Sequence, residues 1–477
     1  MKFFNSYQEL GEEFAVAAQP VPVAEPTLLL LNRPLMANLA IDASEQQLAQ
    51  ILSGNQLHPS SKPVAMAYSG HQFGHFNPYL GDGRAHLLGE LQDTQGKHWD
   101  LHLKGSGRTP FSRNGDGRCG IGPALREYIM SEAMYHLGVP TTRTLAVCTT
   151  GERVFRQLSV PGGVVARVAS SHIRVGTFQY FAARDNLPAL NKLLDYSIAR
   201  HYPHIDSQAP DAALQFLDAV MQRQISLMVH WMRVGFIHGV MNTDNCAISG
   251  ETIDFGPCAM LSIYRPDAVF SSIDRDGRYA FNNQAGIGKW NMARLAEALL
   301  PLIDQNQQQA VDKVMPILDS FDQHYTRQYQ QMMANKIGLR DIHSEQDAAL
   351  IGELLALMET LKLDYTHTFS QLGESLTNET VCSSLKASLG QWVERWLARV
   401  SADEQAQQLM ATTNPVVIPR NHHVERLLSH YEQHAGLADM QDFLQVLSQP
   451  YQQSALTGRY QDVPENGDVG YRTFCGT

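Results

Sequence analysis

The chain has 477 residues, 44% apolar and 18% charged, the composition of a globular protein long enough for two or three packed units. Its formal net charge of −11, with no Lys/Arg block to offset it, argues against a general nucleic-acid or anionic-membrane binder. A local basic pocket for phosphates remains compatible with that balance. Six cysteines without Cys-x-x-Cys spacing or a zinc-like pattern with His suggest a reducing compartment. No apolar run reaches the roughly 18 residues of a membrane helix, and acids follow Met1–Leu10 where a signal peptide needs an apolar core. These features predict a cytoplasmic protein.

In chain order, Leu28–Leu31 reads as a buried strand or short helix start, and 43–53 as a short helix. Ala85–Gln92 and Trp99–Lys104, separated by Asp93-Thr-Gln-Gly-Lys97, predict a β-hairpin. Pro123–Leu137 is helical, with Leu125, Ile129, Ala133 and Leu137 spaced by four and Gly138-Val-Pro140 as the stop. Short strands follow to about 169, with turns expected at Gly151-Glu152 and Pro161–Gly163. Residues 211–234 form an amphipathic helix through Leu214, Leu217, Met221, Ile225, Met228 and Met232. From 291 onward the period is mostly helical, with a loop around 412–421. The fold class is therefore α+β. The expected organisation is a strand-rich lobe over 1–169, a second lobe over 170–300, and a helical extension with a C-terminal tail over 301–477.

The most informative stretch is His238-Gly-Val-Met-Asn-Thr-Asp244-Asn245, followed by Ile253-Asp254-Phe255-Gly256. In kinase-like loops the metal-binding Asn lies five residues after the catalytic Asp, and a second metal-binding Asp opens Asp-Phe-Gly. Five residues before Asn245 stands Val240, which cannot accept a proton; the carboxylate is at Asp244 instead. A tight hairpin over 245–254 would bring Asn245 and Asp254 to one end, a hard-oxygen pair suited to Mg²⁺ or Mn²⁺ on a triphosphate. Asp244 would lie close enough to take a proton from an incoming hydroxyl.

Other positions carry two readings each. Gly81-Asp-Gly83-Arg84 is a simple turn or a place where backbone N–H groups meet phosphate, with Arg84 beside it. Lys104 is a solvent-facing strand end or the cation that pairs a helix carboxylate, Glu127 first and Glu132 as rival. Arg167 interrupts an apolar strand and needs a partner. With Arg174 it forms a salt bridge or grips phosphate. Asp116-Gly117 reads as a surface loop on spacing alone.

Taken together, Tyr68-Ser-Gly-His-Gln-Phe-Gly74, Leu80-Gly-Asp-Gly-Arg-Ala85, Leu103-Lys-Gly-Ser-Gly107, Gly115-Asp-Gly-Arg118, His172-Ile-Arg174, Gly239–Asn245 and Ile253-Asp-Phe-Gly-Pro257 resemble the selenoprotein O family, known in bacteria as YdiU, over essentially the whole chain. The resemblance implies a kinase-like two-lobed fold and transfer of AMP from ATP onto protein Ser, Thr or Tyr hydroxyls. The triphosphate would be reversed, so that pyrophosphate leaves. It implies Asp244 as proton acceptor, Asn245 and Asp254 as metal ligands, and Gly81, Gly83, Arg84, Lys104, Asp116, Gly117, Arg167, Arg174 and Asp254 around ATP, with Glu127 as the lysine partner. UMP transfer from UTP is a close variant. On the residues alone, a γ-phosphate kinase and a non-catalytic nucleotide-binding scaffold stay open. Cys475 stands where some members carry selenocysteine; a redox bond to Cys258 is not favoured.

Overall fold

The computed structural model describes residues 1–156, 158–342, 344–400 and 403–474, so Cys475 lies outside the described residues. The fold is mixed α/β, an antiparallel sheet followed by many helices. The first part contains β1 (Ala15–Ala17), β2 (Thr27–Leu31), α1 (Arg33–Asn38), α2 (Glu45–Leu52), β3 (Val64–Met66), β4 (Gly70–Gln72), β5 (His75–Asn77), β6 (Ala85–Gln92), β7 (His98–Lys104) and β8 (Cys119–Gly120). Next come α3 (Ile121–His136), β9 (Arg143–Phe155), β10 (Ser159–Ala169), α4 (Val175–Ala182), α5 (Leu187–His201), α6 (Ala212–Val234), β11 (Phe236–Ile237) and β12 (Ala259–Met260). The remainder is helical: α7 (Gln284–Ile303), α8 (Gln307–Lys336), α9 (Glu345–Thr360), α10 (Tyr365–Ser375), α11 (Glu379–Leu389), α12 (Gln391–Arg399), α13 (Glu404–Thr413), α14 (Asn421–His434) and α15 (Ala438–Leu447).

The main sheet runs β1-β3-β6-β7-β10-β9-β2, with β8 also pairing β10. Alternation along β10 sorts its side chains between two cores. Val164, Ala166 and Val168 face Leu48 and Leu52 of α2, together with Leu101 and Leu103 of β7. Val165 faces the opposite way, toward Leu125 and Ile129 of α3. Arg167 shares the parity of Val165, and in register it opposes His102, two residues from Lys104. A strand-period argument thus puts Lys104 and Arg167 on the α3 side of the sheet.

The β6–β7 hairpin forms as expected. The turns expected at Gly151-Glu152 and Pro161–Gly163 do not form chain reversals. Both segments lie within β9 and β10, opposite one another, where the register shifts between Pro161 and Gly163. A bulge absorbs the glycines while the ladder continues. The hairpin expected over 245–254 is also absent. Its edges pair elsewhere: Val175 N donates to Cys246 O, Ile248 N to Ile173 O and Thr252 N to Pro140 O. Local pattern cannot reveal that these distant segments claim the backbone first.

Helix α6 ends at Gly235, whose φ of +75° is the left-handed conformation a C-cap glycine adopts without steric cost. Val424 and Leu427 of α14 and Phe443 of α15 pack into the same core as α3, so the last helices return to the sheet region. A second core joins α8 to α13 around Trp392, Trp396 and Phe369. Among the described residues no helix is long and apolar enough to cross a membrane. No disulfide occurs among them; Cys258 is buried, and its thiol, pushed up to about 12 by burial, donates to Phe255 O.

Candidate active site

A cleft of about 570 Å³ opens between the β6–β7 hairpin, α3 and the 238–257 segment. It is lined by Gly81, Gly83, Arg84, Lys104, Asp116, Gly117, Glu127, Arg167, Arg174, Asp244, Asn245 and Asp254, but not by Glu132 or His238. A larger cavity of about 720 Å³ near Arg233 and His230 lacks carboxylates, so size does not point to the chemistry.

At the base of the cleft two cations share two carboxylates. Lys104 Nζ donates to Glu127 Oε2 at 2.6 Å and to Asp254 Oδ1 at 2.8 Å. Arg167 donates from Nε to Glu127 Oε1 at 2.7 Å and from its terminal nitrogen to Asp254 Oδ1 at 2.6 Å. Glu132 is not the lysine partner; it binds Arg143 and Asn32. Burial opposes ionisation of Glu127 and Asp254, but Arg167 and Lys104 outweigh it and hold both carboxyls below their usual range. Asp254 has φ of +64°, a conformation that non-glycine residues adopt at a cost and that recurs at functional positions.

Arg174 lies 2% exposed with its guanidinium 4.3 Å over the Tyr68 ring and 3.6 Å from Asp82. Its Nε and Nη1 have no hydrogen-bond partner. Buried guanidinium donors left unpaired are costly, and phosphate oxygens would satisfy them. Asp82 is fixed in turn by Met66 N and by His102 Nε2.

The glycines have packing reasons for their identity. A Cβ on Gly81 would stand 2.3 Å from Phe111 Cγ, and one on Gly83 would stand 2.9 Å from Phe111 O. Gly117, at φ +71°, would meet Gly107 at 2.1 Å, because Gly107 N donates to Gly117 O and the two loops lie back to back. Asp116 is exposed and paired with Arg156, which lowers its pKa.

On the opposite wall His238 Nε2 hydrogen-bonds Ile253 O at 2.9 Å, tying the two motif segments together. Asn245 Nδ2 donates to Val240 O, which turns its amide oxygen away from that bond. Asn245 and Asp254 both line the cleft and offer hard oxygens, the donor chemistry that suits Mg²⁺ or Mn²⁺. Asp244 is nine-tenths buried, and burial pushes its carboxyl up to about 6. Its Oδ2 accepts from Gln72 Nε2 at 3.3 Å, and its Oδ1 has no partner.

Several residues escaped sequence reasoning. Besides Gln72, the β4–β5 hairpin brings Gly70, where a Cβ would lie 2.4 Å from Asp244 Oδ1. His71 N donates to Thr243 Oγ1 and Phe73 N to Asn242 Oδ1, so this hairpin clamps the Asp244 loop. Tyr68 and Asp82 likewise entered only as letters of a motif. An Asp between two glycines beside a strand was the one available signal.

A buried cation cluster, unpaired arginine donors, hard oxygens and one carboxylate with raised proton affinity give the cleft a chemistry suited to a polyphosphate. The comparisons with known proteins agree. The family profile described as protein adenylyltransferase SelO matches residues 1–448. The chain is 49% identical over 486 residues to the protein nucleotidyltransferase YdiU of Teredinibacter turnerae, covering all of both chains. It is also 49% identical over 477 residues to that of Pseudoalteromonas translucida, again with full coverage of both. For the Rhizobium etli protein of the same name the identity is 47%, covering all of this chain and 97% of the other. The chain belongs to the protein adenylyltransferase SelO family.

Proposed function

We propose that the chain transfers AMP from ATP to Ser, Thr or Tyr hydroxyls of proteins, releasing pyrophosphate. The observation that carries this reading is the pairing of a cation cluster for the leaving group with a separate, unsaturated carboxylate, Asp244. Lys104, Arg167 and Arg174 bind phosphate oxygens, with Arg84 and the 81–83 and 115–117 loops beside them. Asp244 Oδ1 takes the acceptor proton as the hydroxyl oxygen bonds to the α-phosphorus and the bond to the bridging oxygen of pyrophosphate breaks. Asn245 and Asp254 would hold Mg²⁺ or Mn²⁺, which neutralises phosphate charge when bound. Glu127 keeps Lys104 and Arg167 in place.

We also propose that the architecture is kinase-like and two-lobed, with a strand-rich lobe over 1–169, the catalytic loops over 170–300 and a helical extension beyond. A cytoplasmic site of action fits the ATP requirement and the free thiols. UTP is a second donor to be tested.

ATP labelled at the α- or the γ-phosphorus separates the reactions. Incubation with Mg²⁺ or Mn²⁺ and a protein acceptor is expected to transfer the α-label alone. Transfer of γ-label alone would replace this reading with phosphotransfer, and no transfer of either would leave a nucleotide-binding scaffold. Asp254→Ala is expected to abolish α-label transfer.

A further inference from the structure

We infer that His422, His423 and Asp462 form a second metal site, separate from the cleft, that takes a divalent transition ion of the zinc class. The two histidines open α14, and Asp462 lies in the segment that follows the last helix. His422 Nε2 is 3.1 Å from Asp462 Oδ2, and His423 Nε2 is 2.6 Å from Asp462 Oδ1. Ligand atoms of all three residues lie within 4.8 Å of one another. Bonds of about 2.0–2.2 Å to one ion need ligand atoms roughly 3–4 Å apart. The remaining adjustment falls on His422 and Asp462, whose side chains are 30% and 59% exposed.

The third ligand is already fixed. The His423 ring lies 5.3 Å from Tyr460 and 6.0 Å from Phe443, on the edge of a packed cluster. Both imidazoles turn Nε2 toward Asp462, while their Nδ1 atoms are buried without a partner among the described residues. Two imidazoles and one carboxylate suit Zn²⁺, Co²⁺ or Ni²⁺, whereas Mg²⁺ prefers oxygen alone.

Position suggests what the ion does. Asn421, the residue before the pair, bonds the backbone of Met260 in β12 through both atoms of its amide. Beyond Asp462, Thr473 reaches Pro257 O, just after Asp-Phe-Gly. An ion at this point would clip the C-terminal segment to the helix that abuts the strand following the cleft loop.

The test uses tag-free full-length protein stripped with chelator, titrated with Zn²⁺ in excess Mg²⁺ so that oxygen-only sites are filled. Wild type is expected to take up one Zn²⁺ equivalent and to melt at higher temperature with it. Asp462→Asn, a change at an exposed side chain, is expected to bind that equivalent at least tenfold more weakly while retaining α-label transfer with Mg²⁺. His422→Gln is expected to match it. Identical titrations for wild type and both variants, or no uptake by wild type, would overturn the site and leave the three residues as a hydrogen-bonded helix start.

Discussion

Glu127→Gln tests the shared-cation arrangement most directly, because it removes one charge while keeping an acceptor of the same shape. In the wild type, Lys104 and Arg167 divide their attraction between Glu127 and Asp254. In the variant both cations bear on Asp254 alone, and the local potential becomes more positive by one charge. Both changes oppose a divalent ion at Asp254. A hydrogen bond to a charged group contributes about 1.5–3 kcal/mol, and the retained Gln oxygen keeps the loss near the lower end. At about 1.4 kcal/mol per decade, the metal concentration for half-maximal transfer should rise about tenfold or more. Metal-free ATP should bind as well as before or better, since the cleft is more positive. Stability should fall modestly: about 2 kcal/mol lowers Tm by about 2 °C, given roughly 2.1 cal/mol/K per residue over the chain. The assay is α-label transfer against Mn²⁺ concentration at saturating ATP, with metal-free ATP binding measured by calorimetry. A metal titration that superimposes on wild type, at an unchanged rate, would refute the arrangement. Parallel loss of ATP and metal binding would reduce it to misfolding.

Three further outcomes follow from individual contacts. Gly70→Ala places a methyl on Asp244 Oδ1 and should cut kcat at least a hundredfold with ATP affinity nearly unchanged; an equal fall in ATP binding would contradict it. Arg174→Lys replaces a fork stacked on Tyr68 with a point charge and should weaken ATP binding roughly tenfold to a hundredfold, read by calorimetry; unchanged affinity would remove Arg174 from the phosphate site. His86 is lowered to about 4 by burial, helped by His102, so the fold holds it neutral. Its unfolded form gains a proton near 6.5, so stability is full above that pH and is lost as pH falls toward 4. The maximum loss is about 3 kcal/mol at roughly 1.36 kcal/mol per unit. His86→Asn should flatten the Tm decline between pH 6.5 and 4.5, and an equally steep decline would exclude His86 as its source.

The legible parts of the site were those whose partners follow from local period. Arg167 in an apolar strand demanded a partner, and Glu127 on an apolar helix stripe demanded a cation; the sheet brings them together. Lys104 was legible for the same reason. Gln72 and Asp244 are 172 residues apart, and no periodicity connects a two-residue turn to a distant loop. The expected 245–254 hairpin failed for a related reason: its backbone bonds to residues 140, 173 and 175, distant in sequence, instead of to its own other half. The glycines at 151 and 162 looked like turns, yet a long antiparallel ladder can carry them as a bulge.

The proposed base stands apart from the other carboxylates that line the cleft. The five are Asp82, Asp116, Glu127, Asp244 and Asp254. Asp82 is held low by His102 and Arg174 despite its burial, and Asp116 by Arg156. Glu127 and Asp254 are held low by the same two cations. A carboxylate that accepts a proton at neutral pH needs a raised affinity for it and a free oxygen facing the reaction. Of the five, Asp244 alone has a raised proton affinity, caused by burial, and its Oδ1 is left without a partner. Val240, by contrast, is buried, with its carbonyl committed to Asn245 and its N–H to His238. Position 240 therefore serves as backbone scaffold for Asn245. On the proposed reading, the chemistry that a kinase places there moves four residues on, against the β4–β5 hairpin that the unfolded sequence gives no reason to bring near.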